Sequence, residues 1–326
     1  NFTREVIMKA SSSDIMNSMT RSILTLASYD SQRDNLDLDN VLRQCLQLIG
    51  LFPMLAVYGY HAYNHYDNDG SMYIHRPKPN LSLAENLLQM LRPDMKFTDL
   101  EAQVLDIALL LHMEHGGGNN STFTTRVVTS AGSDTYSAIA AAMSSLKGKK
   151  HGGANLMVMN MMDDIREHVS DYSDKEEVAA YLDKILNKEA FDHTGLVYGM
   201  GHAVYTLSDP RAVILRENAK KMAENTEFER EYKLLEAVER LTPELFKKIK
   251  GSDKAMCANV DMYSGFVYSM LGIPEDLYTP MFAVSRMAGW CAHRFEELVT
   301  GKRIIRPAYK SISGEKKYIP CLLYTS

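Results

Sequence analysis

The sequence predicts an all-α protein, and three observations predict it. Helix breakers are few, with 19 glycines and 10 prolines among 326 residues. Capping boxes recur ahead of apolar residues set at helical spacing. No segment alternates apolar and polar residues with period 2, and no Asn-Gly turn joins two β-branched runs. The composition is that of a globular chain, 45% hydrophobic and 24% charged, which excludes disorder and a collagen-like fold. Such a chain buries a sizeable core, and on length alone roughly two domains are expected.

The helices are justified in chain order. Residues 65–80 read as a polar surface loop. Ser82-Leu-Ala-Glu85 opens a helix that Pro93 ends, and Thr98-Asp-Leu-Glu101 opens the next. In each, Ser or Thr accepts a free N–H while Glu reaches back to the N–H of the cap residue. An Ala-rich helix over 134–147 closes at Gly148. Ser173-Asp-Lys-Glu176 opens another by the same box. Asp209-Pro210, Thr242-Pro243 and Thr279-Pro280 each read as a cap followed by proline at the first helical position, which places Arg211 in a first turn. The charged stretch 217–254 reads as a solvated helix face, and the 20 methionines as gap-filling in a helical core.

Charge and cysteine usage narrow the function classes. The net charge of −5 offers no general affinity for nucleic acid. No apolar run approaches the ~18 residues of a membrane span, so no membrane partner is expected. Cys45, Cys257, Cys291 and Cys321 lie far apart without a Cys-x-x-Cys pair, so neither a zinc knuckle nor a disulfide framework is signalled. The simplest compartment is a reducing cytoplasm. A further segment is expected before Asn1. Residues 321–326 match a translated sequencing adapter and are set aside.

Four polar islands interrupt the apolar pattern. His112-Met-Glu-His115 precedes three glycines; C-capping explains it equally well, and a zinc set of His112, Glu114 and His115 lacks a further ligand at a recognised spacing. Lys149-Lys-His151-Gly-Gly-Ala-Asn155 is either a surface loop or a close backbone approach to a ligand. Gly199-Met-Gly201-His202 with Asp209-Pro-Arg211 has no preceding strand and no third glycine, so it is not a dinucleotide fingerprint; a carboxylate site fits better. In Asn259-Val-Asp261-Met-Tyr-Ser-Gly265, the ordinary reading of Asp261 is a helix N-cap. Arg286 breaks an otherwise apolar helix and needs an anionic partner if buried.

In this order on an all-α chain, the islands resemble the citrate synthase family. The resemblance runs from about Leu100 to Tyr309, closing on Arg286-x-x-Gly-Trp-x-Ala-His293. It implies a helical homodimer of two-domain subunits. A large domain of residues 1–153 and 261–320 would carry an inserted small domain of residues 154–260, with the active site between them and closing around substrate. It implies condensation of acetyl-CoA with oxaloacetate and hydrolysis of citryl-CoA, the reaction that feeds the tricarboxylic acid cycle. No cofactor or metal is implied, since acetyl-CoA is a substrate.

The resemblance assigns roles residue by residue. Asp261 matches the base that deprotonates the thioester methyl group, and His151 the donor at the thioester oxygen. His202 matches the residue that polarises the oxaloacetate ketone. His115, Arg211 and Arg286 match groups that hold carboxylates, and Arg306 the arginine supplied across the dimer. Val197, Tyr198, Gly199 and Gly201 match the backbone segment that meets CoA. The chain departs from many relatives at Ala203 and Thr206, neutral where they place phosphate-binding cations, so Lys302, Arg303 or Lys310 become candidates. The alternatives are a 2-methylcitrate synthase using propionyl-CoA, a citryl-CoA lyase, and an inactive dimer that only binds CoA or a dicarboxylate.

Overall fold

The computed structural model describes residues 2–148, 151–202, 205–251 and 256–320. These residues form twelve α-helices and no strand, with a π-helical segment ahead of the first and a 3-10 turn ahead of the last. The pairing of Met200 with Ala258 is an isolated antiparallel bridge.

Local signals set many helix starts. Helix α1 (Ile15–Ala27) begins at Asp14, whose carboxylate accepts from the Asn17 N–H. Helix α2 (Leu38–Asn68) follows and carries Pro53 in its interior. Helices α3 (Leu83–Leu91) and α4 (Asp99–His112) both start at complete capping boxes, Ser82 with Glu85 and Thr98 with Glu101. Helix α5 is Asn120–Ser130 and α6 is Thr135–Leu146, the latter capped by Asp134. Helices α7 (Ala154–His168) and α8 (Lys175–Leu186) precede α9 (Pro210–Ala223), where Asp209 is the cap and Pro210 the first helical residue. The remaining helices are α10 (Glu229–Lys250), α11 (Asp261–Met270) and α12 (Tyr278–Thr300).

Several expectations are corrected. The cap of α8 is Asp174, which accepts from the Glu176 and Glu177 N–H groups, while the Ser173 hydroxyl turns back to Asp171. The nearer, charged acceptor wins the helix end. Thr242-Pro243 starts nothing: both residues lie inside α10, and the Thr242 hydroxyl donates to the Val238 carbonyl. Thr279 is not a cap either, because α12 begins one residue earlier and the Thr279 hydroxyl donates to the Gly152 carbonyl, 3.0 Å away. The polar loop starts only after α2 has run on to Asn68. By length and composition α2 is also apolar enough to cross a membrane, a property hidden in the sequence by interspersed Arg43, Gln44 and Gln47; 56% of its most apolar window is buried inside the protein.

Helix α12 is the organising element, packed on α2, α4, α5 and α6. Its inward face buries Trp290, Arg286 and Arg294 completely. The Thr129 and Thr135 hydroxyls and the Ser133 carbonyl give each of the three Arg294 nitrogens an acceptor. Helix α11 packs against α7, α9 and α4. Gly265 permits the approach to α7, since a Cβ there would lie 2.7 Å from Met159 Cγ. The two helices thereby set Asp261 and Arg286 facing the ends of α4 and α9.

Candidate active site

Asp261 and His202 are delivered together by one clamp. Gly201 N–H donates to the Cys257 carbonyl (2.7 Å) and Asn259 N–H to the Gly199 carbonyl (2.9 Å). The Asn259 side chain then works in both directions: its amide donates to the Gly201 carbonyl at 2.9 Å, and its oxygen accepts the Asp261 N–H at 3.0 Å. Gly199 has φ +81°, and a Cβ on it would lie 2.9 Å from Met262 Cα, so only glycine lets the loop lie on α11. Asp261 is the first helical residue, not the cap, and the cap Val260 makes no side-chain bond. Its carboxylate is therefore free of the structural duty that the sequence alone suggested. Burial pushes this carboxyl up to about 6, against the pull of Arg211 and Arg286.

His151 is fixed in one tautomer. The Ser121 N–H, in the first turn of α5, donates to His151 Nε2 at 3.2 Å, with Ser121 Oγ 3.0 Å away. Trp290 Nε1 donates to that same hydroxyl at 3.1 Å. Because Nε2 accepts, the proton of the neutral ring resides on Nδ1, which is left to donate. Burial, assisted by Arg286, lowers the pKa of His151 and keeps the ring neutral. The loop is seated through Gly152, where a Cβ would lie 2.3 Å from the Leu146 carbonyl oxygen.

Both ring nitrogens of His202 face donors: Nδ1 accepts the Tyr205 N–H at 3.0 Å, and Nε2 lies 3.3 Å from Arg211 Nη2. His115 packs edge-on against His202, with ring centroids 5.0 Å apart. Burial, with Arg211 beside it, drives His115 down to about 4. His112 is fully buried and falls to about 4 for the same first reason. All four imidazoles are thus neutral, and the positive charge of the cleft belongs to arginines.

Those arginines are held differently. Asp209, itself buried, grips Arg211 through Nε (3.0 Å) and Nη2 (2.8 Å). Arg286 is 1% exposed, donates from Nε to the His112 carbonyl at 2.7 Å, and lies 4.7 Å from the Phe282 ring centroid. Its Nη1 is buried with no hydrogen-bond partner among the described residues. A buried guanidinium donor without an acceptor is costly, and burial lowers Arg286 to about 10. An anion entering here would satisfy it. Gly289 brings α12 against the His112–His115 segment, because a Cβ there would lie 2.2 Å from the Met113 carbonyl oxygen.

The structure thus gathers His115, His151, His202, Arg211, Asp261 and Arg286. Arg286 acts electrostatically on His112, His115, His151 and Asp261, and Arg211 on His112, His115, His202 and Asp261. It does not bring Arg306 there: that residue is exposed in the irregular segment after α12. Val197 and Gly199 are buried beneath the His202 loop, and Tyr198 donates its hydroxyl to Asp192 at 2.7 Å. Lys302 and Arg303 line a separate cavity of about 310 Å³ with Thr129 and Glu297. Lys149, Lys150, Ala203 and Cys321 lie outside the described residues. Among the described residues no group of three or more His, Cys, Asp or Glu is arranged for a metal ion. His112 Nδ1 is committed to the Ala108 carbonyl and Glu114 to His293. Sequence reasoning passed over Ser121 and Phe282, whose roles depend on distant contacts, and quoted Asn259 only as part of a motif.

An all-α cleft with one carboxylate of raised pKa, neutral imidazoles and a buried guanidinium with one N–H group left without an acceptor is the equipment of an acid–base enzyme that takes an anionic substrate. The family model described as the citrate synthase C-terminal domain matches residues 1–308. A citrate synthase of Haloferax volcanii is 39% identical over 247 residues, covering 76% of this chain and 59% of that protein. A citrate/2-methylcitrate synthase of Bacillus subtilis is 34% identical, covering 90% of this chain and 71% of its own. Among solved structures, the ternary complex of carboxymethyl coenzyme A and oxaloacetate with citrate synthase from Thermoplasma acidophilum aligns with TM-score 0.79 and 29% identity. It covers 99% of this chain and 79% of that one. The chain belongs to the citrate synthase family, a family of acyltransferases. It spans 59%, 57% and 56% of three of the curated relatives it matches.

Proposed function

We propose that the protein is a citrate synthase, which condenses acetyl-CoA with oxaloacetate and hydrolyses citryl-CoA to citrate and CoA. The observation that carries this reading is the pairing of opposite chemistries in one cleft. Asp261 is a carboxylate poised near neutrality, and His151 is a neutral imidazole with Nδ1–H left to donate. A thioester methyl is a weak carbon acid, so its proton is removed only if charge developing on the thioester oxygen is stabilised at the same moment. Asp261 takes the proton and His151 Nδ1–H donates to the oxygen. The enolic carbon then attacks the ketone of oxaloacetate, whose oxygen receives a proton from His202. His115, Arg211 and Arg286 bind the two carboxylates, and the unused N–H donor of Arg286 Nη1 is the anchor. Water then cleaves the citryl thioester.

We also infer that residues 154–260 form a small domain inserted in the large one. In a homodimer, Arg306 would complete the carboxylate site of the partner subunit, in keeping with its exposure after α12. The segment 197–201 would meet CoA with its backbone. A second reading, 2-methylcitrate synthesis from propionyl-CoA, is favoured by the Bacillus relative of dual name. One methylene in an acyl pocket discriminates by only ~1–3 kcal/mol. Release of free thiol from acetyl-CoA and from propionyl-CoA, with and without oxaloacetate, tests both. Oxaloacetate-dependent release with the higher kcat/KM for acetyl-CoA is expected. Preference for propionyl-CoA would establish the second reading, and no release from either would overturn both.

A further inference from the structure

Away from the cleft, two of the chain's four cysteines meet where α2 lies on α12. Cys45 and Cys291 are both buried and unbridged, on facing sides of the contact between the two helices. Both line one apolar cavity of about 550 Å³, whose walls include Leu42, Leu46, Phe295 and Val299. Leu46 and Val299 are more than half exposed, so the cavity opens to solvent above the two sulfurs. Arg294, three residues along α12 from Cys291, is fully buried and its charge reaches both thiols.

We propose that Cys45 and Cys291 form a redox-active dithiol, a modification site at which hydrogen peroxide closes a disulfide that staples α2 to α12. The chemistry balances without any further reagent. The Cys45 thiolate attacks one oxygen of the peroxide; the O–O bond breaks, hydroxide leaves, and Cys45 becomes a sulfenic acid. The Cys291 thiol then attacks the Cys45 sulfur, an S–S bond forms, and the hydroxyl leaves as water with the thiol proton. Two thiols lose two electrons and one peroxide gains them.

The division of labour follows from the surroundings. The neighbouring Cys291, with Arg294, pulls the Cys45 thiol down, whereas Cys45 and burial push Cys291 up. Cys45 is therefore the attacking thiolate and Cys291 the resolving thiol. A small uncharged oxidant suits a cavity walled by leucine, isoleucine, phenylalanine and valine. Cys257 is a poor competitor, because burial raises its thiol and its Sγ is turned to the Tyr205 carbonyl.

The test treats the purified protein with stoichiometric hydrogen peroxide, unfolds it, alkylates it with N-ethylmaleimide and maps the peptides by mass spectrometry. A cross-linked peptide pair containing Cys45 and Cys291 is expected, lighter by two hydrogens and reversed by dithiothreitol. Cys291→Ser is expected to halt at the sulfenic acid and take dimedone at Cys45, and Cys45→Ser to form neither product. Peroxide-treated protein that alkylates fully at both cysteines would overturn the proposal. So would dimedone labelling of the unsubstituted protein at Cys45 to the same extent as Cys291→Ser. The cross-link map on the unsubstituted protein decides the question even if a variant folds poorly.

Discussion

Replacing Asp261 with asparagine is expected to stabilise the protein while removing its activity. The folded chain raises this carboxyl from an ordinary 3.8 to about 6. At about 1.36 kcal/mol per pH unit, keeping it ionised above that range costs roughly 3 kcal/mol of folding free energy. The folded pKa lies above the unfolded one, so the folded state binds more protons between the two values. The cost is full above about 6 and absent below about 4. Asparagine keeps the shape and removes the charge. It also forgoes the interaction of a carboxylate with the N-terminus of α11, about 0.3–1 kcal/mol. A net gain of roughly 2 kcal/mol at pH 7.5 remains, shrinking to nothing as the pH falls to about 4. The assay is paired thermal and urea unfolding of both proteins across pH 4–8, with initial thiol-release rates alongside. A fall in kcat of about 10²-fold or more accompanies the stabilisation. A variant less stable than the parent at pH 7.5, or a gap that widens on acidification, would refute the reasoning about burial.

Further outcomes follow from other contacts. Asn259→Ala removes both arms of the loop clamp, at roughly 0.5–1.5 kcal/mol each, and should lower kcat about tenfold with the fold retained by circular dichroism. Arg286→Lys cannot reproduce a two-pronged grip on a carboxylate, so KM for oxaloacetate should rise about 10-fold or more while KM for acetyl-CoA changes little. Gly289→Ala drives a methyl group into the Met113 carbonyl and should cost about 1–3 kcal/mol in urea unfolding, with weaker oxaloacetate binding as the His115 segment shifts. The acidic limb of kcat/KM for acetyl-CoA should fall through an apparent pKa near that of Asp261, about 6, since the base acts only when ionised.

The sequence made local features legible and distant ones opaque. Ser82 with Glu85 and Thr98 with Glu101 could be read because every atom of a capping box lies within one turn. Asp209-Pro210 succeeded for the same reason. Thr242-Pro243 looked identical on paper, yet it sits inside α10, where buried Leu234, Leu235 and Val238 keep the helix continuous through the proline. Ser173 lost its helix end to a neighbouring carboxylate. The chemistry of the cleft was visible as residue types in a family order. The tautomer of His151 was not, because it depends on a backbone N–H thirty residues away in sequence. Nor was the double use of Asn259, or the meeting of Cys45 with Cys291 from opposite ends of the chain. Arg306 stands in the family order of the sequence but is exposed after α12.

The central claim is that Asp261 and His151 close on the acyl group of a CoA thioester from two sides. A crystal structure of this protein with carboxymethyl-CoA and oxaloacetate measures that directly. The account predicts His151 Nδ1 and an Asp261 oxygen both within about 3.2 Å of the carboxymethyl group, with Arg286 Nη1 on an oxaloacetate carboxylate. An analogue bound with its carboxymethyl end out of reach of either residue would contradict it.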